Sequence, residues 1–535
     1  MSRRTVATVI IVVGALLAAT VSQYWIVTSD GSLYLGLAKS LAEGKGYAFN
    51  GELNVRYPVV FPLLMAGVMR VAGVNYLALR LTVAVLAFGV VILTYVFARS
   101  RLSPKVALLV TALAGLSRPF VKYATSLLSE TPYMFLSLLG LVLANTLAKS
   151  KRHVLLCTIG LGIAVALAAQ TRVIGFTLVL ATLTGLVIES IRSHKLGRGL
   201  GRVAVVGMIC LLPMALWAWR TSAYTSEETA YFSAWDAFRY KDPWNLEAGK
   251  IDVGDVLARI PGSLESRATS YTRVVSSIKG HRRGWRLSFV FLPFILGGLI
   301  VQSRRSLLTR DGRSVVAELY FVFYTVALLL FPHDEGTRYV IPVAPLVFVY
   351  AAEGVRVALN GLKRLCDAAR EAGWSMRPTL SCWAHRGLQV LTGVFVVGAV
   401  LYGIGKAVVE AYDQHTAMRG DGRHAVYGSA VMRVELADIL KYVDANTQLT
   451  DVIMLDGAAV CHWLTGRRTA DIPRSSRLSV VAEAIRRQRV THLVVVRNSG
   501  RAESVLGPLL AQRPGDFPEV AHFGRTHVYR VGRTE

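Results

Sequence analysis

The sequence predicts a polytopic α-helical membrane protein that ends in a small soluble α/β domain. Apolar residues make up 53% of its 535 residues and charged residues only 18%, whereas an ordinary soluble domain carries about a quarter charged residues. Apolar runs that approach the roughly 20 residues needed to cross a bilayer recur along the chain as far as residue 405. Beyond it, short apolar runs alternate with amphipathic segments. This composition excludes a disordered chain and a single soluble domain.

Eleven segments are predicted to span the membrane as helices, and those at 105–120 and 286–302 are the shortest. They lie at about 5–27, 76–98, 105–120, 130–148, 154–170, 173–190, 203–220, 286–302, 315–332, 339–355 and 387–405. The first is too long for a signal peptide and lacks a small-residue cleavage site, so we interpret it as a retained anchor.

Lys and Arg in the short connections between spans predict the orientation. On the side of the N-terminus they concentrate at 99–105, 149–152, 192–202, 304–313 and 356–386. The opposite short connections contain fewer of them, and the positive-inside rule places the basic side in the cytoplasm. We therefore expect a multi-pass protein of the inner or plasma membrane, with a cytoplasmic N-terminus. An odd number of spans then puts the C-terminal domain on the extracytoplasmic side.

The spans divide the chain into a predicted transmembrane domain, 1–405, and an extracytoplasmic domain, 406–535. The transmembrane domain has two long outer loops, 28–75 and 221–285. The first loop carries apolar segments that we predict to be helices lying along the membrane surface. These segments cover 33–43 and 59–71.

The pattern of the tail is typical of a small α/β domain. Buried strands are predicted at 451–455 and 491–496, and a helix at 479–488 separates them. A further helix at 435–447 precedes them, and 520–531 predicts a closing hairpin. No glycine fingerprint for nucleotide binding accompanies these elements.

The formal net charge of +26 raises the question of nucleic-acid binding. The basic residues lie mostly in loops between apolar runs, and zinc-finger spacing and RNA-binding signatures are missing, so we predict no nucleic-acid partner. The five cysteines show no spacing typical of a metal site or of a disulfide framework. The expected environment of the protein is the lipid bilayer.

Charged groups at a membrane edge are costly unless they are paired or used, so the outer connections are where functional residues are expected. Asp30 follows the first span, and Glu130 begins the fourth. Each has an ordinary interpretation, since Asp is a favoured N-cap and an acidic residue suits the first turn of a helix. Together they predict a pair of carboxylates that activates an acceptor hydroxyl and orients a donor.

Basic groups on the same outer side complement these acids. Arg172 lies in a tight turn between spans five and six, and His333 and Arg338 flank another short turn. Lys122 precedes Glu130. Arginine and histidine suit a phosphate, which they bind through directed N–H groups. Contacts with lipid headgroups or ion pairs with the acidic residues at 334–335 are the open alternative.

Three segments resemble one family: 28–102, 126–143 and 333–354. The first contains SDGSLYLGLAKSLAEGKGY and YPVVFPLLMAGVMRVAG, the second is SLLSETPYMFLSLLGLVL, and the third is HDEGTRYVIPVAPLVFVYAAEG. They resemble the GT-C superfamily of polyprenyl-phosphate-dependent glycosyltransferases, in particular its protein O-mannosyltransferases and aminoarabinose transferases. The chain departs from many of these relatives in having Gly31 after Asp30, where they carry a second acid, and Glu130, where Asp is common.

The resemblance implies a GT-C fold with about 11 transmembrane helices. It implies an enzyme that moves a sugar from a polyprenyl-phosphate donor to a hydroxyl of a glycan, lipid or protein acceptor. Asp30 would be the catalytic base or the carboxylate that orients the acceptor, and Glu130 would be the second acid. The resemblance implies that His333 and Arg338 hold the lipid phosphate. The other predicted donor-binding residues are Tyr339, Arg172, Lys122 and Tyr57. Metal use varies across the superfamily, so no metal ligand is predicted and a divalent cation stays open.

The expected chemistry agrees with an outer active site. Nucleotide sugars are cytoplasmic, so a sugar used outside arrives on a lipid, and preorganised cations stabilise the leaving phosphate. Direct displacement by a deprotonated hydroxyl would invert the anomeric centre. Two alternatives stay open: a lipid or polysaccharide flippase or transporter, and a non-catalytic subunit of envelope assembly. A transporter needs charged or broken helices at mid-membrane, whereas the ionisable residues here gather at span ends.

Overall fold

The computed structural model describes residues 1–535 except 24, 26, 150–152, 195, 225–237, 243, 279, 309–312, 333, 372–376, 417–433, 498–500 and 533–535. Helices α1 to α10 are Arg3–Ala18, Ser29–Ala42, Val60–Ala72, Tyr76–Arg99, Pro104–Gly115, Arg118–Tyr123, Glu130–Lys149, Val154–Ala169, Phe176–Arg192 and Leu196–Tyr224. Helices α11 to α20 are Val253–Ser276, His281–Leu308, Val316–Leu330, Thr337–Val340, Ala344–Glu371, Arg377–Thr416, Val434–Asn446, Ala458–Thr465, Leu478–Arg487 and Arg501–Gln512. Strands β1 to β7 are Ala48–Phe49, Glu52–Leu53, Val452–Met454, Arg468–Ala470, His492–Val496, Glu519–Phe523 and Thr526–Arg530.

Each of the eleven predicted spans coincides with a helix, which confirms the multi-pass helical architecture. Seven of the described helical segments are long and apolar enough to cross a membrane. They are Tyr76–Arg99, Glu130–Lys149, Val173–Arg192, Leu196–Ala223, His281–Leu308, Thr337–Ala368 and Cys382–Asp413. The helices at the other four predicted spans, α1, α5, α8 and α13, have 12 to 16 residues each.

Helix α1 ends at Ala18, nine residues before the predicted end of the first span at 27. The hydroxyl of Thr20 donates to the carbonyl of Leu17 at 2.7 Å, and the Thr20 carbonyl accepts from Arg80 Nη2 at 3.0 Å. These side chains satisfy backbone groups that a continuing helix would pair internally. The predicted end of this span is therefore wrong.

The described structure forms two compact units. The first comprises Met1–Val21, Arg80–Leu216 and Ala258–Asp413, and the second Ser22–Leu79, Trp217–Leu257 and Gln414–Glu535. The second unit thus groups the whole first outer loop with most of the tail. The division at 405/406 stays a prediction.

In the first unit, Cys366 of α15 and Cys382 of α16 form a disulfide, with their Cα atoms 5.4 Å apart. The cysteine spacing predicts no disulfide, so this bond corrects that prediction. The two cysteines are 16 residues apart, and no local motif marks them. Their pairing depends on how the two helices are placed.

The tail contains a mixed five-stranded sheet with the order β4-β3-β5-β7-β6. Strand β3 is parallel to β4 and β5, and β7 is antiparallel to β5 and β6. The predicted strands, helices and closing hairpin are all present, and the α/β class of the tail is confirmed. Strand β4 was not predicted, because three residues beginning with an exposed Arg468 show no apolar alternation.

Side chains alternate between the two faces of this sheet, as the period of a strand requires. On β3, Val452 and Met454 belong to one buried cluster with residues of α19 and α20. Ile453 belongs to the other cluster, with residues of α17 and α18. The tail is therefore a three-layer α/β/α arrangement, with an apolar core on each side of the sheet.

The first outer loop forms the helices α2 and α3, as predicted, with the hairpin β1–β2 between them. Its turn is Asn50-Gly51, with φ of 56° and 83°, the positive values that such tight turns need. The Asn50 amide binds the edge strand β4: its Oδ1 accepts from the Thr469 N–H at 3.2 Å, and its Nδ2 donates to the Thr469 carbonyl. This contact covers backbone groups that an edge strand otherwise exposes.

We expect Gly36→Ala in α2 to destabilise the second unit. A Cβ at Gly36 would overlap the ring of Phe49 on β1, and overpacking of this kind costs about 1–3 kcal/mol. The matched control is Gly67→Ala in α3, where a Cβ would meet open space. The midpoint of thermal unfolding should fall for Gly36→Ala alone, and equal midpoints for the two variants would contradict this packing.

Candidate functional site

Glu130 is the first residue of α7 and is completely buried. Its Oε1 accepts two charge-assisted hydrogen bonds, one from Arg172 Nη1 and one from Arg338 Nε, each at 2.5 Å. Its Oε2 is also buried and has no hydrogen-bond partner within the described part of the chain. Two guanidinium groups thus share a single carboxylate oxygen.

The two arginines come from turns far apart in the sequence. Arg172 precedes the short 3₁₀ helix Val173–Gly175, and its Nη1 also donates to Ser129 Oγ at 3.2 Å. Arg338 lies in α14 and is 208 residues from Glu130. Their side chains are 13% and 16% exposed, so they connect a buried carboxylate to the surface. The structure therefore brings together three of the predicted site residues.

The turn before Arg338 extends this network. Arg338 Nη1 donates to Glu335 Oε2 at 2.5 Å, and the Tyr339 hydroxyl donates to Glu335 Oε1 at 3.1 Å. Asp334 Oδ1 accepts from the Gly336 N–H at 2.8 Å and from Arg267 Nη1 at 2.5 Å. Tyr339 thus joins the predicted cluster, whereas His333 lies outside the described residues.

Arg267 belongs to this network, although nothing in the sequence singled it out. It lies in α11, within the second outer loop, and only 2% of it is exposed. Besides Asp334 it contacts the Leu328 carbonyl through Nε at 3.3 Å. No local signal distinguishes it from Arg259 or Arg273 on the same helix. Its role follows only from the packing of α11 beside this turn.

Lys122 takes a different position from the arginines. It is exposed, and its ammonium lies over the ring of Tyr123, 5.4 Å from the centroid. Burial, followed by the charge of Glu130, raises the pKa of Tyr123 to about 12, so this phenol stays protonated at neutral pH.

The pair of Arg267 and Asp334 should stabilise the first unit at neutral pH. Burial raises the pKa of Asp334, but the hydrogen bonds from Ser266, Gly336 and Arg267 outweigh this effect and hold it below its ordinary value. Arg267→Leu should lower the unfolding free energy by about 2 kcal/mol at pH 7. A carboxylate with a lowered folded pKa loses its stabilisation as the pH falls through that value.

The thermal-unfolding midpoints of wild type and Arg267→Leu, measured between pH 7 and pH 3, check this prediction. The difference between them should shrink below about pH 4, where the unfolded carboxyl binds its proton. A difference that stays constant over this range would show that the ion pair is not its source.

Asp30 lies in the second unit, in the first turn of α2. Thr28 caps this helix, since its hydroxyl accepts from the Gly31 N–H at 3.1 Å, so the N-cap interpretation of Asp30 is wrong. The Tyr57 hydroxyl donates to Asp30 Oδ1 at 2.5 Å. The Arg56 guanidinium lies over the Tyr57 ring, 5.0 Å from its centroid. This side chain places a fixed positive charge beside the phenol that binds the acid.

Burial raises the pKa of Tyr57 well above its ordinary value, with the charge of Arg56 opposing it and that of Asp30 adding to it. The phenol therefore keeps its proton and donates a hydrogen bond to Asp30 at any physiological pH. The Tyr34 ring packs edge-on against Tyr57, with 4.9 Å between centroids, and keeps it in place. Convergence of Asp30 with Glu130 stays a prediction.

The described residues contain no group of three or more His, Cys, Asp or Glu side chains placed to hold a metal ion. Both candidate acids use their carboxylates on other partners: Asp30 on Tyr57, and Glu130 on two arginines. The question of a divalent cation therefore stays open.

Comparison with known proteins supports the fold. Residues 56–217 match the family model for dolichyl-phosphate-mannose-protein mannosyltransferases. No curated protein matches the sequence significantly. The crystal structure of ArnT from Cupriavidus metallidurans bound to undecaprenyl phosphate is 13% identical with a TM-score of 0.57, and the match covers 100% of this chain and 99% of that one.

A second similar structure is the archaeal oligosaccharyltransferase AglB from Archaeoglobus fulgidus, in complex with an inhibitory peptide and a dolichol-phosphate. It is 12% identical with a TM-score of 0.53, and the match covers 91% of this chain and 69% of that one. These likenesses confirm the GT-C fold that the sequence resemblance implies.

Proposed function

We propose that this chain with the GT-C fold is an integral membrane glycosyltransferase that moves a sugar from a polyprenyl-phosphate donor to a hydroxyl acceptor. The observation that carries the proposal is the buried Glu130 with two arginines on one oxygen. A buried ion cluster is weak as a stabilising device, because desolvation offsets most of its attraction. Its presence favours a functional reason for holding cations at this place.

Arg172 and Arg338 are the proposed phosphate ligands. The leaving group is a lipid phosphate whose charge grows as the C–O bond to the sugar breaks, and cations held in place beforehand lower that barrier. His333, Tyr339 and Lys122 are proposed to add donors. The solved relatives favour this donor class, since one was determined with undecaprenyl phosphate and the other with dolichol-phosphate.

Glu130 is proposed to act as a positioning residue for these arginines. Both guanidinium groups donate to its Oε1, and a carboxylate that is engaged in this way is a poor proton acceptor. A rigid anchor also limits the rotamers of two long side chains, so less entropy is lost when a phosphate binds. This assignment refines the second-acid role that the resemblance implies.

Asp30 is the proposed general base. It takes the proton of the attacking hydroxyl as the new glycosidic bond forms and the phosphate leaves from the opposite face, which inverts the anomeric centre. Tyr57 is proposed to orient the carboxylate, because its hydroxyl donates a hydrogen bond to Asp30 Oδ1. The reacting hydroxyl belongs to a glycan, a lipid or a protein.

The proposed topology is that of the sequence analysis. The N-terminus is cytoplasmic, residues 406–535 form an extracytoplasmic domain, and 1–405 form the transmembrane domain with outer loops 28–75 and 221–285. Transfer then takes place on the outer face of the inner or plasma membrane.

Mass spectrometry of lipid-linked sugars and surface glycans, with and without this protein, tests the function. A polyprenyl-phosphate sugar should accumulate in its absence, and one surface glycan, lipid or protein should lose that sugar. The purified protein in liposomes should then transfer the accumulated sugar to the deficient acceptor. Movement of the donor between leaflets without transfer would instead identify a flippase, and unchanged lipid and glycan pools would reject an enzymatic role.

A further inference from the structure

A polar cleft of about 460 Å³ lies in the second unit, between α2 and the tail elements α18 and β4. Its wall on α2 includes Lys39 and Ser40, and its wall on the tail includes His462, Trp463 and Arg468. A second cleft of about 360 Å³ shares Asn50 and Arg468 with the first. The two clefts therefore adjoin each other at these residues, and each is of a size typical of ligand sites.

The surface is strongly basic. Lys39, Lys45 and Arg468 line the first cleft together with one acid, Glu43. The second adds Arg487 and Arg489 together with one acid, Glu52. Five basic and two acidic side chains therefore line the whole surface, which leaves three positive charges in excess. Such a concentration of one sign attracts an anion.

His462 is a neutral hydrogen-bonding group in the first cleft. Its Nδ1 lies 2.7 Å from the Arg467 carbonyl, so this nitrogen carries the proton and Nε2 remains an acceptor. Burial lowers the pKa of His462. The hydrogen bond with the Arg467 carbonyl opposes this effect, and the charges of Lys39 and Arg468 add to it. The imidazole is therefore neutral at pH 7 and offers an acceptor to a hydroxyl group.

Trp463 adds a rigid aromatic face. Its Nε1 donates to the Tyr76 hydroxyl at 3.0 Å, and its ring stands edge-on to Trp25, with 6.4 Å between centroids. The remaining wall consists of small or polar residues, and Ala48 is the only aliphatic side chain among the described residues that line the first cleft. The lining thus suits a hydroxylated, charged ligand and offers little to an acyl chain.

We propose that this basic cleft binds an anionic saccharide, a glycan that carries carboxylate or phosphate groups, as the acceptor of the transfer reaction. This inference rests on the proposed function. Lysine and arginine bind the anionic groups, while Ser40 and His462 pair with hydroxyls and Trp463 covers a sugar face.

Helix α2 connects the cleft with the proposed base. Asp30 is in the first turn of this helix, and Lys39 follows nine residues later. At a rise of 1.5 Å per residue, the two lie about 14 Å apart along the axis. The nine-residue spacing is also about 2.5 helical turns, which places Lys39 on the side of α2 opposite Asp30. A glycan bound in the cleft therefore needs several sugars to reach around the helix to the base that activates its terminal hydroxyl.

Isothermal titration calorimetry of the full-length protein in neutral phosphatidylcholine nanodiscs tests the inference. The ligands are a tetrasaccharide of galacturonate and the neutral maltotetraose. The acidic tetrasaccharide should bind about tenfold tighter or more, and this preference should weaken as salt increases. Equal affinities for the two, or no binding of either, would overturn the inference.

Charge reversal locates the site. Lys39→Glu and Arg468→Glu should each weaken tetragalacturonate binding about tenfold or more. The control is Arg513→Glu, at an exposed position that follows α20 and does not line either cleft. It should bind like the wild type. Equal losses in all three variants would reveal a diffuse charge effect and reject the cleft.

Two further measurements keep this inference separable from the proposed function. Short-chain phosphatidylglycerol should not displace the tetrasaccharide; full displacement through Lys39 and Arg468 would identify a lipid-headgroup site instead. Asp30→Asn should bind the tetrasaccharide normally. Absent saccharide binding with intact sugar transfer rejects the cleft alone, whereas saccharide binding without transfer rejects the proposed function.

Discussion

Asp30→Asn should abolish sugar transfer and leave the protein folded and able to bind its donor. Asparagine is close to the shape of aspartate but cannot take a proton, so the acceptor hydroxyl loses its base. General-base catalysis contributes about 10²- to 10⁴-fold, and the turnover number should fall by that factor while the donor affinity changes little. Initial rates of transfer from a lipid-linked sugar, measured in nanodiscs, check this.

Tyr57→Phe is the matched control for this prediction. It removes the hydroxyl that binds Asp30 Oδ1 and retains the carboxylate. A hydrogen bond to a charged group contributes about 1.5–3 kcal/mol, so the rate should fall roughly 10- to 100-fold, less than for Asp30→Asn. Wild-type turnover in Asp30→Asn would exclude Asp30 as the base.

Glu130→Gln should both destabilise the first unit and reduce transfer. The amide cannot neutralise Arg172 and Arg338, and breaking a buried ion pair typically costs about 3–5 kcal/mol. The arginines would also lose their shared anchor, so the donor phosphate would bind in several positions. We expect a lower thermal-unfolding midpoint and a turnover number reduced about tenfold or more, since a loss of 1.4 kcal/mol is already tenfold.

Glu335→Gln is the matched control, because Glu335 and Glu130 lie at the same distance from Arg338. Both acids bind Arg338 at 2.5 Å, but Glu130 is fully buried and the Glu335 side chain is 43% exposed. An exposed ion pair contributes about 0–1 kcal/mol, so Glu335→Gln should unfold nearly like the wild type. Equal midpoints for the two variants would contradict the buried anchor. A destabilised Glu130→Gln with full turnover would exclude a role in donor positioning.

Local patterns predicted much of the fold correctly. The spans follow from runs of apolar residues, and the tail elements from alternation and amphipathic periods, which are properties of neighbouring residues. The predicted end of the first span was wrong because Arg80, some 60 residues away, binds the carbonyl of Thr20. Strand β4 was missed because its position beside β3, and not its three residues, makes it a strand.

The candidate site was likewise predicted only in part from the sequence. Asp30 and Glu130 were recognised because an acid at a span end is rare and costly. The N-cap role of Thr28 and the contact of Tyr57 with Asp30 depend on side-chain geometry that spacing does not reveal. Arg267 was missed because its helix contains other arginines, and only packing shows which of them reaches Asp334.

The sequence by itself determined that the protein is a multi-pass helical membrane protein with an α/β tail and acids at its span ends, because hydropathy and periodicity act within a few residues. Only the tertiary structure decided which cations meet Glu130, which hydroxyl meets Asp30, and which basic side chains line the cleft beside α2. Those contacts join residues up to 208 positions apart for the ion pairs and more than 400 for the cleft. Electrostatic and hydrogen-bond energies depend on distances in space, which chain packing sets.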